Sequence, residues 1–80
     1  MSSNERTIVR AYLPPDPKEL FLGFRLSLKE AKLTILSHAQ DNDFKAIYSI
    51  AQPGGFHTYY DQLLEPITYK QFITLKVLLL

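Results

Sequence analysis

At Ser27 the spacing of apolar residues changes. Upstream they recur every second residue, as on a half-buried strand; downstream they recur every third or fourth, as along one side of a helix. Ser27 stands three residues ahead of Glu30, and this spacing forms a capping box in which hydroxyl and carboxylate each satisfy an otherwise orphan backbone amide. A helix is therefore predicted from Leu28, with Leu28, Ala31, Ile35 and Ala39 facing inward and Leu36 flanking them. Lys29, Lys32 and Gln40 face water, and Asp41-Asn42-Asp43 ends the helix.

Two strands precede that helix. In residues 6 to 13, Val9, Ala11 and Leu13 alternate with Ile8, Arg10 and Tyr12; in residues 20 to 27, Leu20, Leu22, Phe24 and Leu26 alternate with Phe21, Gly23, Arg25 and Ser27. The prolines at 14, 15 and 17 stiffen the connection between them. A helix starting at Asp16, with Pro17 in its first turn, is the rival reading of the second segment; Gly23 and the period of two favour strand.

Residues 44 to 51 alternate Phe44, Ala46, Tyr48 and Ile50 against Lys45, Ile47, Ser49 and Ala51, which predicts a third strand. Gln52-Pro53-Gly54-Gly55 has turn chemistry, with Pro53 preset at i+1 and Gly54 free to take a positive φ, so 56 to 60 returns as a fourth strand. The tail carries two signals. Thr68 and Gln71 form a second capping box and favour a helix from Tyr69, whereas Ile73, Leu75, Val77 and Leu79 alternate as a strand would. As a helix it is apolar almost all round, so it has to be covered on several sides or docked against another chain.

The order ββαββα defines an α+β two-layer sandwich, an antiparallel sheet of about four strands with one or two helices on one face. Residues 1–5 are expected to be a disordered N-terminus and 6–80 a single domain. A chain of 80 residues buries only roughly 60 to 65% of the surface its unfolded form exposes. With no cysteine, disulfides, thiol nucleophiles and thiolate metal sites are excluded, and the core alone must hold the fold. No apolar run reaches the roughly 18 residues that cross a bilayer, and the first residues lack the apolar stretch of a signal peptide, so a cytoplasmic location is expected.

Alternation directs Val9, Leu22, Phe24, Phe44, Tyr48 and Ile50 toward the helices. The opposite face then carries Ile8, Arg10, Tyr12, Phe21, Arg25, Lys45, Ile47, His57 and Tyr59. Of these, Arg10, Tyr12, Phe21, Arg25, Lys45, His57 and Tyr59 are the expected binding residues. Tyrosine, phenylalanine and arginine are enriched where proteins meet, and apolar patches seek cover, so a binding or regulatory protein that contacts a protein partner or itself as a homo-oligomer is expected. Single-stranded nucleic acid is the second reading, because rings can stack on bases while arginines meet phosphates; nine basic against eight acidic residues weaken it. A one-residue slip in register would exchange the two faces.

Catalysis, metal and cofactor sites have little support, and none is expected. His38 and His57 could act as bases only beside a carboxylate such as Asp41, Asp43 or Asp61, which no spacing requires. His38 reads instead as a hydrogen-bonded histidine at the boundary of the helix stripe. Asp41 and Asp43 resemble the start of a calcium loop, yet Lys45 and Gln52 stand where further ligands belong. Pro-Gly-Gly-Phe lacks the lysine and hydroxyl of a phosphate loop.

Overall fold

A computed structural model describes residues 6–79; the disorder expected for 1–5 lies outside them. The elements are β1 (Thr7–Tyr12), β2 (Glu19–Arg25), α1 (Leu28–Asp41), β3 (Ile47–Gln52), β4 (Phe56–Tyr60), β5 (Pro66–Ile67) and α2 (Tyr69–Leu79). The strands pair antiparallel in the order β2-β1-β3-β4-β5, and the described residues form an α+β fold of five strands and two helices. The added fifth strand is only two residues long and begins with a proline, too short to show a period.

Both predicted helix caps form, the one at Thr68 as a reciprocal box and the one at Ser27 with the carboxylate reaching one residue further back. Ser27 Oγ accepts the Glu30 amide at 3.2 Å, and Glu30 Oε1 accepts the Leu26 amide at 3.1 Å. Ahead of α2, Thr68 and Gln71 bond reciprocally at 2.8 and 3.1 Å, so the tail is helix rather than strand. Gly54 takes φ +87 in the β3–β4 turn, as the Pro-Gly-Gly chemistry requires.

The third strand starts at Ile47, not Phe44. Residues 42 to 44 instead close α1: the Phe44 amide donates to Ala39 O at 2.8 Å and the Asp43 amide to Gln40 O at 3.5 Å, with Asp43 at φ +55. This six-to-one and five-to-two pairing satisfies the last carbonyls of the helix. It leaves Phe44 exposed rather than inward and puts Lys45 outside the sheet.

The two helices lie on opposite faces, not on one. Val9, Ala11, Tyr48, Ile50 and Tyr60 pack under Ala31, Ile35 and Ala39 of α1. The alternate residues Tyr12 and Ile47 pack with Phe72 of α2, joined by Tyr59, Ile67, Leu75 and Leu79. The central strands β1 and β3 carry buried residues on both sides, and only cover on both sides achieves that. A helix apolar all round does not declare which sheet face it takes; Tyr12, Ile47 and Tyr59 supply the apolar floor that draws α2 to the side away from α1.

A bulge in β2 reverses the alternation. Val9 faces Gly23 but Arg10 faces Phe21, which leaves Leu22 without an opposite residue. Residues directly opposite in an antiparallel pair share a face. Phe24, opposite Ile8, therefore lies on the α2 side, and Arg25, opposite Thr7, lies on the α1 side, where its Nε donates to Thr34 Oγ1 at 2.7 Å. Both positions are the reverse of the simple alternation.

Candidate interaction face

The register places three rows across the sheet face that looks toward α2. One row runs Phe24, Ile8, Ala51, His57; the next runs Phe21, Arg10, Ser49, Tyr59, Ile67; the third holds Glu19, Tyr12 and Ile47. Helix α2 covers Tyr12 and Ile47 of the third row, leaves Glu19 exposed, and reaches Tyr59, whose ring centroid lies 5.2 Å from that of Tyr69 and 4.9 Å from that of Phe72. The first row lies beyond the helix, as do Phe21 and Arg10 of the second, whereas Ser49 is buried and Tyr59 and Ile67 pack with α2. Half of the face is thus a helix-covered core, and the other half is a bare sheet.

The bare half has aromatic walls. Phe21 and Phe24 meet edge to face with centroids 5.1 Å apart, and they remain 57% and 47% exposed. At the other side His57 lies parallel to Tyr59, 6.3 Å between centroids. Ile8 and Ala51 make the apolar floor, Arg10 is half-buried between the walls, and the Arg6 guanidinium sits 5.3 Å over the Phe24 ring. Burial raises the Tyr59 phenol above its ordinary value near 10, with Tyr69 and Glu19 adding to the shift, so the ring stays neutral at physiological pH.

Of the seven residues expected to form a surface, Arg10, Phe21, His57 and Tyr59 come together on this face. Tyr12 shares the face but lies beneath α2, its hydroxyl buried without a hydrogen-bond partner and Lys76 Nζ 5.2 Å from its ring centre. Arg25 and Lys45 are elsewhere, for the reasons of bulge and helix cap given above. Phe24 replaces them. The signal for it was Gly23, since a glycine inside a strand commonly marks a bulge.

On the α1 side, the Tyr48 hydroxyl lies 2.7 Å from His38 Nδ1, the boundary hydrogen bond expected for that histidine. Burial pushes the Tyr48 phenol up to about 12. An open cavity of about 450 Å³ beside this pair is lined by Leu22, Arg25, Leu33, Thr34, Ser37, His38 and Asp41. Among the described residues no group of three or more histidines and carboxylates converges as a metal site would, and no helix is long and apolar enough to cross a membrane.

The Tyr48 shift has a measurable consequence. Between pH 10 and about 12 the unfolded chain releases this proton while the folded chain keeps it, so the unfolded state binds fewer protons and stability falls across that window. Urea midpoints measured on either side of pH 10 are expected to drop on the alkaline side, and the Tyr48→Phe variant to drop less steeply. Burial also raises Tyr60, so some slope persists in the variant. Equal slopes in the two proteins would contradict the assignment.

No family model matches the chain, and neither curated proteins nor solved structures provide a match.

Proposed function

We propose that this is a small cytoplasmic, non-enzymatic binding protein that acts through protein–protein contact, with the open half of the sheet face as its contact surface. The observation that carries the reading is the pair Phe21 and Phe24, two large rings held edge to face on an edge strand and left about half exposed. In a chain this short, rigid aromatics on a sheet are costly to leave in water and well suited to anchor a partner. Ile8 and Ala51 extend the apolar floor beside them, and Arg10 and Arg6 offer positive charge for orientation.

Single-stranded nucleic acid is the weaker reading. It relied on Arg10, Arg25 and Lys45 converging, and the last two lie off this face. Glu19 shares the face with Arg10, and a formal charge of +1 gives little long-range attraction for phosphates.

A photo-crosslinking residue at position 21, with one at Lys29 on the exposed side of α1 as control, tests the proposal in cells that express the chain. The expected result is a discrete protein adduct from position 21 that is absent from position 29 and resists nuclease. No adduct, or one that nuclease removes, would overturn it.

A further inference from the structure

Two apolar surfaces lie uncovered on the same side of the sheet. One is the bare half of the sheet face. The other is the outward stripe of α2, where Tyr69, Ile73 and Val77 follow one another at intervals of four residues and are 60%, 37% and 68% exposed. A soluble helix ordinarily turns polar residues outward, and this one does so only in part. The bare half is bounded on one side by α2 itself, so it is a step about one helix thick, roughly 10 Å. A second helix laid beside α2 fits that step.

Resting on the reading of the open face as a protein-contact surface, we infer that its occupant is a second copy of this chain. Two copies related by a two-fold axis face each other sheet to sheet, with their α2 helices side by side in one shared layer. Each α2 keeps Phe72, Leu75 and Leu79 on its own sheet and turns Ile73, Val77 and the exposed part of Tyr69, whose ring also meets its own Tyr59, onto Phe21, Phe24 and Ile8 of the partner. The same patch is used on both chains, as a closed two-fold dimer requires. Each copy supplies the helix that the other lacks.

Area and charge favour this occupant. The exposed parts of Phe21, Phe24, Tyr69, Ile73 and Val77 amount to something on the order of 500 Å², more than half of the ~800 Å² per partner of a standard interface. Rim residues supply the remainder. At a formal charge of +1 per chain, two copies repel only weakly, and the face carries Glu19 beside Arg10 and Arg6.

Sedimentation equilibrium of the purified chain gives the first readout. The expected mass is twice 9.2 kDa in the micromolar range, and Phe24→Ser on the sheet and Val77→Lys on the helix each weaken association by about tenfold or more. Both side chains are exposed, so the circular dichroism of the monomer should be retained. The geometry has its own test, because the chain has no cysteine. A mixture of Phe24→Cys and Val77→Cys chains under mild oxidant is expected to give the 24–77 cross-link faster than a mixture of Phe24→Cys with Lys29→Cys gives 24–29. A strict monomer, or a dimer indifferent to both substitutions and to the 24–77 pairing, would overturn the inference. A monomer whose position 21 still captures a different protein removes self-association and leaves the binding face standing; a monomer with no adduct removes both.

Discussion

Ile50→Ala is expected to lower the stability by about 3 to 5 kcal/mol, near the top of the range for truncating a buried aliphatic residue. Ile50 is fully buried at the middle of β3, with Val9 opposite it on β1 and Thr58 opposite it on β4. Above it lies α1, which meets the sheet through Ala31, Ile35 and Ala39. Two of those three side chains are single methyl groups, so the helix backbone already rides close to the strands. It has little freedom to sink into the space that the substitution vacates. The cavity therefore persists, and its cost adds to the lost transfer free energy.

A domain of this size has a total stability of only about 5 to 10 kcal/mol, so this one change removes a large part of it. The melting temperature should fall by roughly 15 to 25 °C, and the urea midpoint should fall while the slope of the transition stays the same. Leu33→Ala gives the contrast. Leu33 is exposed on the outer side of α1, and its truncation should change stability by less than about 0.5 kcal/mol. Comparable losses in the two variants would mean that the α1 side of the sheet is not the core.

The features legible in the sequence were those decided within four residues. Ser27 with Glu30 and Thr68 with Gln71 settle their helix starts by local hydrogen bonds, and Pro53 with Gly54 settles a turn by local torsions. What escaped was set by contacts across the fold. The side chosen by α2 depends on Tyr12 and Ile47, more than twenty residues before it, and its own nearly continuous apolar surface declares no inward stripe. Phe44 and Lys45 extend the alternation of β3 backward without a break, yet the carbonyls at the end of α1 claim the amides there.

The site divides along the same line. Arg10, Phe21, His57 and Tyr59 lie on one face because each sits in a strand segment whose alternation is unbroken up to its own position. Arg25 is lost because the bulge lies between residues 21 and 25. Tyr12 has the right face and the wrong neighbour, since α2 lies over it. A surface is a property of what fails to cover it, and no short stretch of sequence carries that information.

Gly23→Val is the second large effect expected, and it links the fold to the interaction face. Gly23 holds φ +126, a conformation that a side chain with a β-carbon rarely adopts and a β-branched residue adopts least readily. A Cβ there would also stand 2.8 Å from Arg25 Nη1. That guanidinium can move, but its present position lets it donate to Phe24 O and to Thr34 Oγ1, both at 2.7 Å. Torsional strain and disturbed hydrogen bonds together predict a loss of about 2 to 4 kcal/mol in urea unfolding. Gly55→Ala separates the two causes. Gly55 has φ +86, and a methyl group added there would meet nothing within 4 Å, so torsional strain acts alone and the loss should be smaller. The bulge at Leu22 and Gly23 is also what turns Phe24 to the open face. A valine that relieves its strain by restoring regular pairing would send Phe24 toward α1 and Arg25 toward the bare half. The folded fraction of Gly23→Val is therefore expected to lose association at least as strongly as Phe24→Ser, even in conditions that offset its lower stability. Association at the parent strength in that folded fraction would contradict the link between Gly23 and the orientation of Phe24.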